Sequence, residues 1–480
     1  MELIFIIAIL TITAFLNILI KKRVIIEFLS IVSSAVSLVL SVVVAVKVSV
    51  LGIYSPFLFF SVDSFGAIVM VIVAFVGFTA SAYSIPYLRQ ETAKDIIGFT
   101  RVKQYFVLSN LFLTAMFLAV MASNPIFAWI AIEVTTLSTA FLVSFYNKPS
   151  MVEAAWKYLI INSVGLLLGF MGTLLYFTSV NSLGGDTFVS WQILLENASH
   201  LDALIAKIAF VFVLVGYGTK VGLAPMHTWK PDAYSKVPAP IGALLSGALL
   251  PVAFLVILRF KAITDISIGS SFSGNLLIVF GLLSVAVAAL IILNSKNYKR
   301  LLAYSSIENA GVVALGFGFG GVGIFTAVLH IIYNALIKSA LFLSAGNIFL
   351  KYSSTKIEKV KGVLTALPAT GVIFLAGFLA ITGMPPFGIF VTKIFILSAG
   401  ILAHPVATIM ALIFMTILFT GFLRQVVAMI FGEKPAGVET GESNVWLVLP
   451  PLLLMAVALG LSVYIPSLLQ TLINNVVLHY

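Results

Sequence analysis

Ionisable side chains lie inside long apolar stretches of this 480-residue sequence, and they are the residues best suited to chemistry. Seven of them stand out: Glu133, Lys157, Lys220, Glu308, His330, Lys338 and Lys393. An ionisable group in the hydrocarbon layer of a membrane costs at least about 2.5 to 3.5 kcal/mol, so it normally faces a bundle interior or a water-filled cavity. Burial and a nearby carboxylate act on a lysine in opposite directions, so moving the partner or admitting water changes its protonation. We therefore expect these residues to handle protons.

The order of these charges repeats along the chain. An acid and two lysines occur on three successive apolar segments, first as Glu133, Lys157 and Lys220 and then as Glu308, Lys338 and Lys393. Matching members are 175, 181 and 173 residues apart, as duplication of a five-helix unit would produce. Five spans are an odd number, so the second copy is expected to be inverted, an arrangement found in many secondary transporters. Glu133 with either Lys157 or Lys220 is the candidate charge switch.

A polar stripe follows in the second copy. His330 precedes Lys338 by eight residues, so on a helix the two lie two turns apart on one face, with Asn334 between them. Such a stripe predicts a proton wire through bound water.

The elements that must position these charges are transmembrane helices. With 61% apolar and 9% charged residues, the chain is far outside the range of soluble domains. We therefore expect an all-α polytopic membrane protein with about fourteen transmembrane helices. The predicted segments are 3–20, 24–46, 64–84, 105–122, 124–146, 152–178, 203–225, 238–258, 274–294, 301–320, 322–350, 363–400, 405–424 and 446–477.

Two of these helices contain breaks beside a lysine. Lys220 lies among the glycines of GYGTKVGLAP, which ends at Pro225, and Lys393 follows a segment that contains Pro385 and Pro386. Proline removes a helical hydrogen bond and frees carbonyls that need water or a lysine nearby. Helices 7 and 12 are therefore predicted to be broken.

The charges and helix counts predict four regions and a topology. The regions are an N-terminal three-helix segment (1–103), a first repeat of helices 4 to 8 (104–258), an inverted second repeat of helices 9 to 13 (274–424), and a C-terminal loop with helix 14 (425–480). Basic residues concentrate in alternate loops, which places those loops, including the ones with Lys230 and Lys359, in the cytoplasm and both termini outside.

Composition excludes several function classes for this chain. The net charge of +10 is explained by the cytoplasmic loops, so no nucleic-acid partner is expected, and without cysteine this chain can hold no iron–sulfur cluster. We expect no catalytic constellation, metal or cofactor on it.

Lys157 and Lys207 lie near helix starts, where snorkelling is the alternative to a functional role. Asp63 has the position of a helix cap.

Four stretches carry a resemblance to a known family: KVGLAPMHTWKPDAY, KRLLAYSSIENAG, LHIIYNALIKSALFLSAGNI and TGMPPFGIFVTK. They resemble the antiporter-like subunits of respiratory complex I, of membrane-bound hydrogenases and formate hydrogenlyases, and of multisubunit cation/proton antiporters. The wording is most similar to the archaeal membrane-bound hydrogenase, sulfane reductase and antiporter branch. By that resemblance Glu133 is the fifth-helix glutamate, Lys220 and Lys393 are the lysines of the broken helices, and His330 and Lys338 are the eleventh-helix pair.

The resemblance implies a subunit that moves H⁺, or exchanges Na⁺ for H⁺, through two half-channels. It also implies other membrane subunits, a peripheral redox arm with iron–sulfur clusters, surrounding lipids, and the plasma membrane of an archaeon or bacterium. Many relatives carry an eighth-helix lysine where this sequence has Pro251. Two alternatives stay open: a gradient-driven Na⁺/H⁺ antiporter without a redox arm, and a scaffold subunit that does not pump, which the missing eighth-helix charge favours.

Overall fold

The computed structural model describes residues 1–183 and 188–479 and is built almost entirely from helices. The α-helices are α1 (Glu2–Leu19), α2 (Arg23–Leu51), α3 (Ser64–Ala93), α4 (Phe99–Met121), α5 (Pro125–Val143), α6 (Pro149–Tyr176), α7 (Trp191–Glu196), α8 (Ala203–Val221), α9 (Trp229–Lys236), α10 (Ala239–Ala243), α11 (Leu249–Ile268), α12 (Ser270–Ile292), α13 (Tyr298–Phe319), α14 (Val322–Tyr352), α15 (Val363–Ala366), α16 (Pro368–Thr382), α17 (Gly388–Ile401), α18 (Pro405–Ile430), α19 (Leu449–Val463) and α20 (Ser467–His479). A short antiparallel hairpin of β1 (Tyr54–Phe57) and β2 (Phe60–Val62) joins α2 to α3. The all-α prediction is confirmed.

Among the described residues, the helices that can cross a membrane are fewer than the fourteen predicted segments. Eleven helices in the described part of the chain are long and apolar enough to cross a membrane, and the pair α19–α20, bent by 73°, makes a twelfth. The helices α16 and α17 are shorter, and α13, with 22 residues, contains a polar stretch at Ser305–Asn309 that lowers its hydropathy. Fourteen spans would require α13 and the pair α16–α17 to cross as well, so that count stays a prediction.

Helix ends follow from local sequence. Asn124, Asp202 and Asn297 cap α5, α8 and α13 by accepting backbone N–H bonds from the first turn. Asp63 does the same for α3 by accepting from the Gly66 N–H, as predicted, and its second oxygen also pairs with Arg259 at 2.9 Å.

The centre of the bundle is formed by α14 and by the continuous stretch α10–α11, whose side chains are almost all buried. In contrast, α1, α2 and α18 present most of their surface outward, and that surface carries exposed apolar side chains. Polar residues on α14 are therefore held in the protein interior.

Neighbouring helices recur in the same order in the two predicted repeats. In the first, α4 packs on α5, α5 on α6 and α6 on α8; in the second, α12 packs on α13, α13 on α14 and α14 on α17. The four region boundaries themselves stay predictions.

Both predicted helix breaks are present. The helix α8 ends at Val221 and α9 begins at Trp229, with Pro225 in the interruption. Likewise α16 ends at Thr382 and α17 begins at Gly388, with Pro385 and Pro386 between them. Each break opens with a glycine in the left-handed region, Gly222 at φ +80° and Gly383 at φ +86°, a conformation that glycine adopts without a Cβ clash.

Candidate functional site

The first polar constellation forms around Lys220, in the last turn of α8. Its side chain is buried, and Nζ donates to Thr136 Oγ1 at 2.8 Å and to the Tyr158 hydroxyl at 2.9 Å. Thr136 lies on α5 and Tyr158 on α6, so the lysine joins three helices just before the break.

Glu133 lies one turn from Thr136 on α5 and is half buried. One carboxylate oxygen accepts from Ser163 on α6 at 2.8 Å, and the other accepts from Thr136 Oγ1 at 3.4 Å. The ion pairs of the described residues do not include Glu133 with Lys220. The acid and the lysine are therefore connected through one hydroxyl group, which can donate to the acid and accept from the lysine at once.

Lys157 lies elsewhere, which corrects the alternative that paired it with Glu133. Its half-exposed side chain pairs with Glu153 at 2.6 Å and with Asp232 at 3.8 Å. The reason is helical geometry: Ser163, which faces Glu133, is six residues further along α6, and at about 100° per residue the two side chains point about 120° apart. Of the two predicted partners of Glu133, only Lys220 is brought near it.

The second constellation has a direct ion pair. Glu308 Oε1 on α13 lies 2.8 Å from Lys393 Nζ on α17, and both side chains are buried. This contact lacks hydrogen-bond alignment, since that oxygen has no hydrogen-bond donor among the described groups. Lys393 instead donates to the Ile381 carbonyl at 3.2 Å, at the end of α16. The pair thus lies at the second helix break.

His330 links the same helices from α14. One ring nitrogen lies 2.8 Å from Thr392 Oγ1 on α17, and the other lies 2.9 Å from Asn309 Oδ1 on α13. The Asn309 amide nitrogen donates to Glu308 Oε2 at 2.5 Å. A continuous set of polar contacts therefore runs from the histidine through Asn309 to the carboxylate and its lysine.

The predicted stripe on α14 is buried along its length. Lys338 donates to the Leu302 carbonyl at 2.9 Å. Between it and His330, both amide atoms of Asn334 are buried without a partner among the described residues. Leaving a buried amide unpaired is costly, so Asn334 is a polar group of the stripe that its neighbouring side chains do not satisfy.

A buried lysine that the sequence analysis had placed in a cytoplasmic loop is Lys230, on α9. It is 0% exposed, and its Nζ donates to the Val221 carbonyl at 2.7 Å. Its position shortly after the break at Gly222 could have indicated burial, because a helix that resumes after a break still lies at membrane depth.

What the site can do chemically follows from its groups. The described residues include no group of three or more His, Cys, Asp or Glu placed to hold a metal ion. They do bring together carboxylates, lysines, hydroxyls and a histidine in a low-dielectric interior, where small movements change which group holds a proton.

Comparison with known proteins adds independent evidence. The profile of the family described as "NADH:quinone oxidoreductase/Mrp antiporter, TM" matches residues 122–420. The chain is 35% identical to a hydrogenase-4 component F homolog of Methylacidiphilum infernorum, over 86% of each chain.

Two solved structures have the same fold. A chain of the membrane-bound sulfane sulfur reductase, an archaeal respiratory membrane complex, matches with a TM-score of 0.87 and 22% identity over 99% of this chain and 97% of that one. A chain of the Mrp complex from Dietzia sp. DQ12-45-1b matches with a TM-score of 0.85 and 19% identity over 99% and 96%. At these identities the likeness concerns the fold alone.

Proposed function

This chain belongs to the NADH:quinone oxidoreductase/Mrp antiporter family of membrane subunits, and on that premise we propose that it translocates ions within a larger respiratory complex. The proposed ion is H⁺, or Na⁺ in exchange for H⁺, moving through two half-channels. The residues proposed to carry it are Glu133, Lys220, Glu308, His330, Lys338 and Lys393. Lys157, half exposed and paired with Glu153, lies outside this path. One observation carries the proposal: in each half, an acid and a lysine from different helices are connected beside a helix break, through the Thr136 hydroxyl in the first half and as a direct ion pair in the second.

In the first half, Thr136 is the proposed switch. Its hydroxyl contacts both the Glu133 carboxylate and the Lys220 ammonium. When a proton leaves Lys220, the neutral amine gains a lone pair that accepts a hydrogen bond, so the Thr136 hydroxyl can turn from the Glu133 carboxylate to the amine. A change of protonation at one group thereby changes the hydrogen bonding of the other.

In the second half, the ion pair between Glu308 and Lys393 is the proposed gate. Opening it leaves two buried charges that water or protons must satisfy. His330, held between Thr392 and Asn309, and the unpaired amide of Asn334 support a proton path from this pair toward Lys338.

We propose a redox-driven complex, hydrogenase-like or sulfur-reducing, as the setting. Support comes from the names of the relatives, a hydrogenase-4 component and a sulfane sulfur reductase. Because this chain has no cysteine, its iron–sulfur clusters would belong to partner subunits in a peripheral arm. The proposed location is the plasma membrane of a prokaryote, with both termini outside.

The second candidate is a gradient-driven Na⁺/H⁺ antiporter without a redox arm. The likeness to a chain of the Mrp complex favours it. The two candidates share the intramembrane path and differ in what drives it.

The test begins with the native complex, isolated in mild detergent through a tag on this chain. Iron bound per copy supports the redox-driven setting, and an iron-free assembly of membrane subunits supports the antiporter. Ion uptake is then followed with pH- and sodium-sensitive dyes in vesicles driven by an electron donor or by an imposed sodium gradient.

The decisive variants are Lys220→Met and Lys393→Met, with Lys207→Met as the matched control. Lys207 lies on α8 like Lys220 but is exposed, with its ammonium 5.9 Å from the centre of the Phe272 ring. We expect transport to fall at least tenfold in the first two variants and to be unchanged in the control. Normal transport in both would refute the proposed path and favour the scaffold alternative.

A further inference from the structure

Lys230 is a buried cation that the path described above does not use. It lies in the first turn of the eight-residue helix α9, and its side chain has no exposed surface. One hydrogen bond is recorded for its ammonium group, to the Val221 carbonyl, and the Tyr234 ring centre is 5.5 Å away. No carboxylate of the described residues lies within ion-pair distance of it. An ammonium group has three protons to donate, so this one is poorly satisfied.

The position of Lys230 repeats the position of Lys393. Each lysine follows a left-handed glycine that opens a helix break, Lys230 eight residues after Gly222 and Lys393 ten residues after Gly383. Each folds back over that glycine: a Cβ built on Gly222 would be 2.6 Å from Lys230 Cδ, and one built on Gly383 would be 3.1 Å from Lys393 Cδ.

The hydrogen bonds of the two lysines match as well. Lys230 donates to the carbonyl of Val221, just before its glycine, and Lys393 donates to the carbonyl of Ile381, two residues before its own. Lys220 differs, because it precedes its break and bonds to hydroxyl groups of α5 and α6. The geometric counterpart of Lys393 in the first broken helix is therefore Lys230.

The surroundings place Lys230 between the two constellations. Its neighbour Trp229 packs edge-on against Tyr158, which accepts a hydrogen bond from Lys220, with 5.0 Å between ring centres. On the other side α9 packs against α13, whose Leu302 carbonyl accepts a hydrogen bond from Lys338.

Hydroxyl groups line this central region. Ser246 lies in a π-helical turn at Leu244–Ala248, 2.8 Å from Ser306 Oγ, which donates to the same Leu302 carbonyl that Lys338 contacts. Pro251 cannot donate to the Gly247 carbonyl four residues earlier, and π turns of this kind recur at functional sites.

We propose that Lys230 is a proton-carrying residue that connects the first half-channel to the second. The proposal rests on the proposed function and adds a residue to its path. A proton passes from the Lys220 ammonium through water to a neutral Lys230 amine, and from Lys230 onward to Lys338. Each step breaks one N–H bond and forms another, the O–H bonds of the intervening water exchange without net change, and the positive charge moves with the proton.

The alternative is that Lys230 only caps α8, since a lysine can satisfy a carbonyl at a helix C-terminus. Two variants separate these roles. Lys230→Gln keeps a donor for the Val221 carbonyl but carries no proton, and Lys230→Arg keeps both donor and charge but does not release its proton. A cap accepts either substitution, whereas a proton carrier accepts neither.

The experiment uses the intact tagged complex in vesicles, under the drive that moves ions in the wild type. Lys207→Gln is the control, and Lys393→Met reports on the proposed function itself. We expect both Lys230 variants to assemble with a wild-type melting temperature and to transport at least tenfold more slowly. If one variant fails to assemble, the other decides.

The outcomes are distinguishable. Wild-type transport in an assembled Lys230 variant, with transport lost in Lys393→Met, overturns the role of Lys230 and leaves the proposed function standing. Wild-type transport in Lys393→Met, or no transport in the wild type, overturns the proposed function and this inference with it.

Discussion

Breaking the ion pair between Glu308 and Lys393 should destabilise the protein in a way that depends on pH. Lys393→Met leaves a buried carboxylate without its cation, and Glu308→Gln leaves a buried ammonium without its anion. Removing one partner of a buried pair typically costs about 3 to 5 kcal/mol, whereas replacing both is often nearly neutral. The double variant should therefore be more stable than either single variant.

The size of the stability loss in each single variant follows from the least costly response of the charged group that remains, which is to lose its charge. For a glutamate with an ordinary pKa of about 4.3, protonation costs about 3.7 kcal/mol at pH 7 and about 1.6 kcal/mol at about pH 5.5. For a lysine with an ordinary pKa of about 10.4, deprotonation costs about 4.6 kcal/mol at pH 7 and about 2.6 kcal/mol at about pH 8.5. A lower pH should thus reduce the loss of stability in Lys393→Met, and a higher pH should reduce the loss in Glu308→Gln.

The assay is the unfolding of the purified complex in detergent, followed at these three pH values for the wild type, both single variants and the double variant. We expect the smallest loss of stability at the lowest pH for Lys393→Met and at the highest pH for Glu308→Gln. If the double variant is as unstable as the singles, or if the two losses do not change with pH in opposite directions, the buried ion pair is not what stabilises this helix break.

Three further predictions concern the first half and the topology. Thr136→Val removes the hydroxyl between Glu133 and Lys220. Because a hydrogen bond to a charged group contributes about 1.5 to 3 kcal/mol, transport should slow about tenfold or more. Thr136→Ser, which keeps a hydroxyl, should transport normally. Lys157→Met should change the unfolding free energy by less than about 1 kcal/mol, because its ion pairs are half exposed, and should leave transport intact; a loss equal to that of Lys220→Met would contradict the geometry. Lys359→Cys, the only thiol in a chain without cysteine, should react with a membrane-impermeant maleimide from the cytoplasmic side, and labelling from outside would overturn the predicted orientation.

Hydropathy predicted the helices well because each span must satisfy its backbone hydrogen bonds internally, so the apolar pattern is local. The segment predicted at 322–350 is α14, Val322–Tyr352, and the breaks at Pro225 and Pro385 lie where the helices are interrupted. The number of spans was harder, since α13 and the short helices α16 and α17 carry weaker apolar signals.

The candidate site was only partly predictable, because contact between helices depends on which face each residue occupies. The repeated order of acids and lysines indicated the right helices, yet Lys157 points away from Glu133. Glu133 instead contacts Thr136, which carries no charge that would mark it in the sequence. Lys230 was predicted to lie in a loop because polar residues such as His227 and Asp232 are close to it in the sequence, and a charge count cannot distinguish a loop from a helix that resumes after a break.

By itself, the sequence determined that this is a polytopic helical membrane protein, that its charges repeat in two sets, and that prolines and glycines interrupt two helices beside lysines. Only the tertiary structure decided which charges meet: a direct ion pair of Glu308 with Lys393, a hydroxyl between Glu133 and Lys220, and an unpaired Lys230 in the interior. The reason is physical. Burial of a charge is evident from its apolar flanks, but its partner comes from another helix, whose rotation and depth are set by packing over the whole bundle.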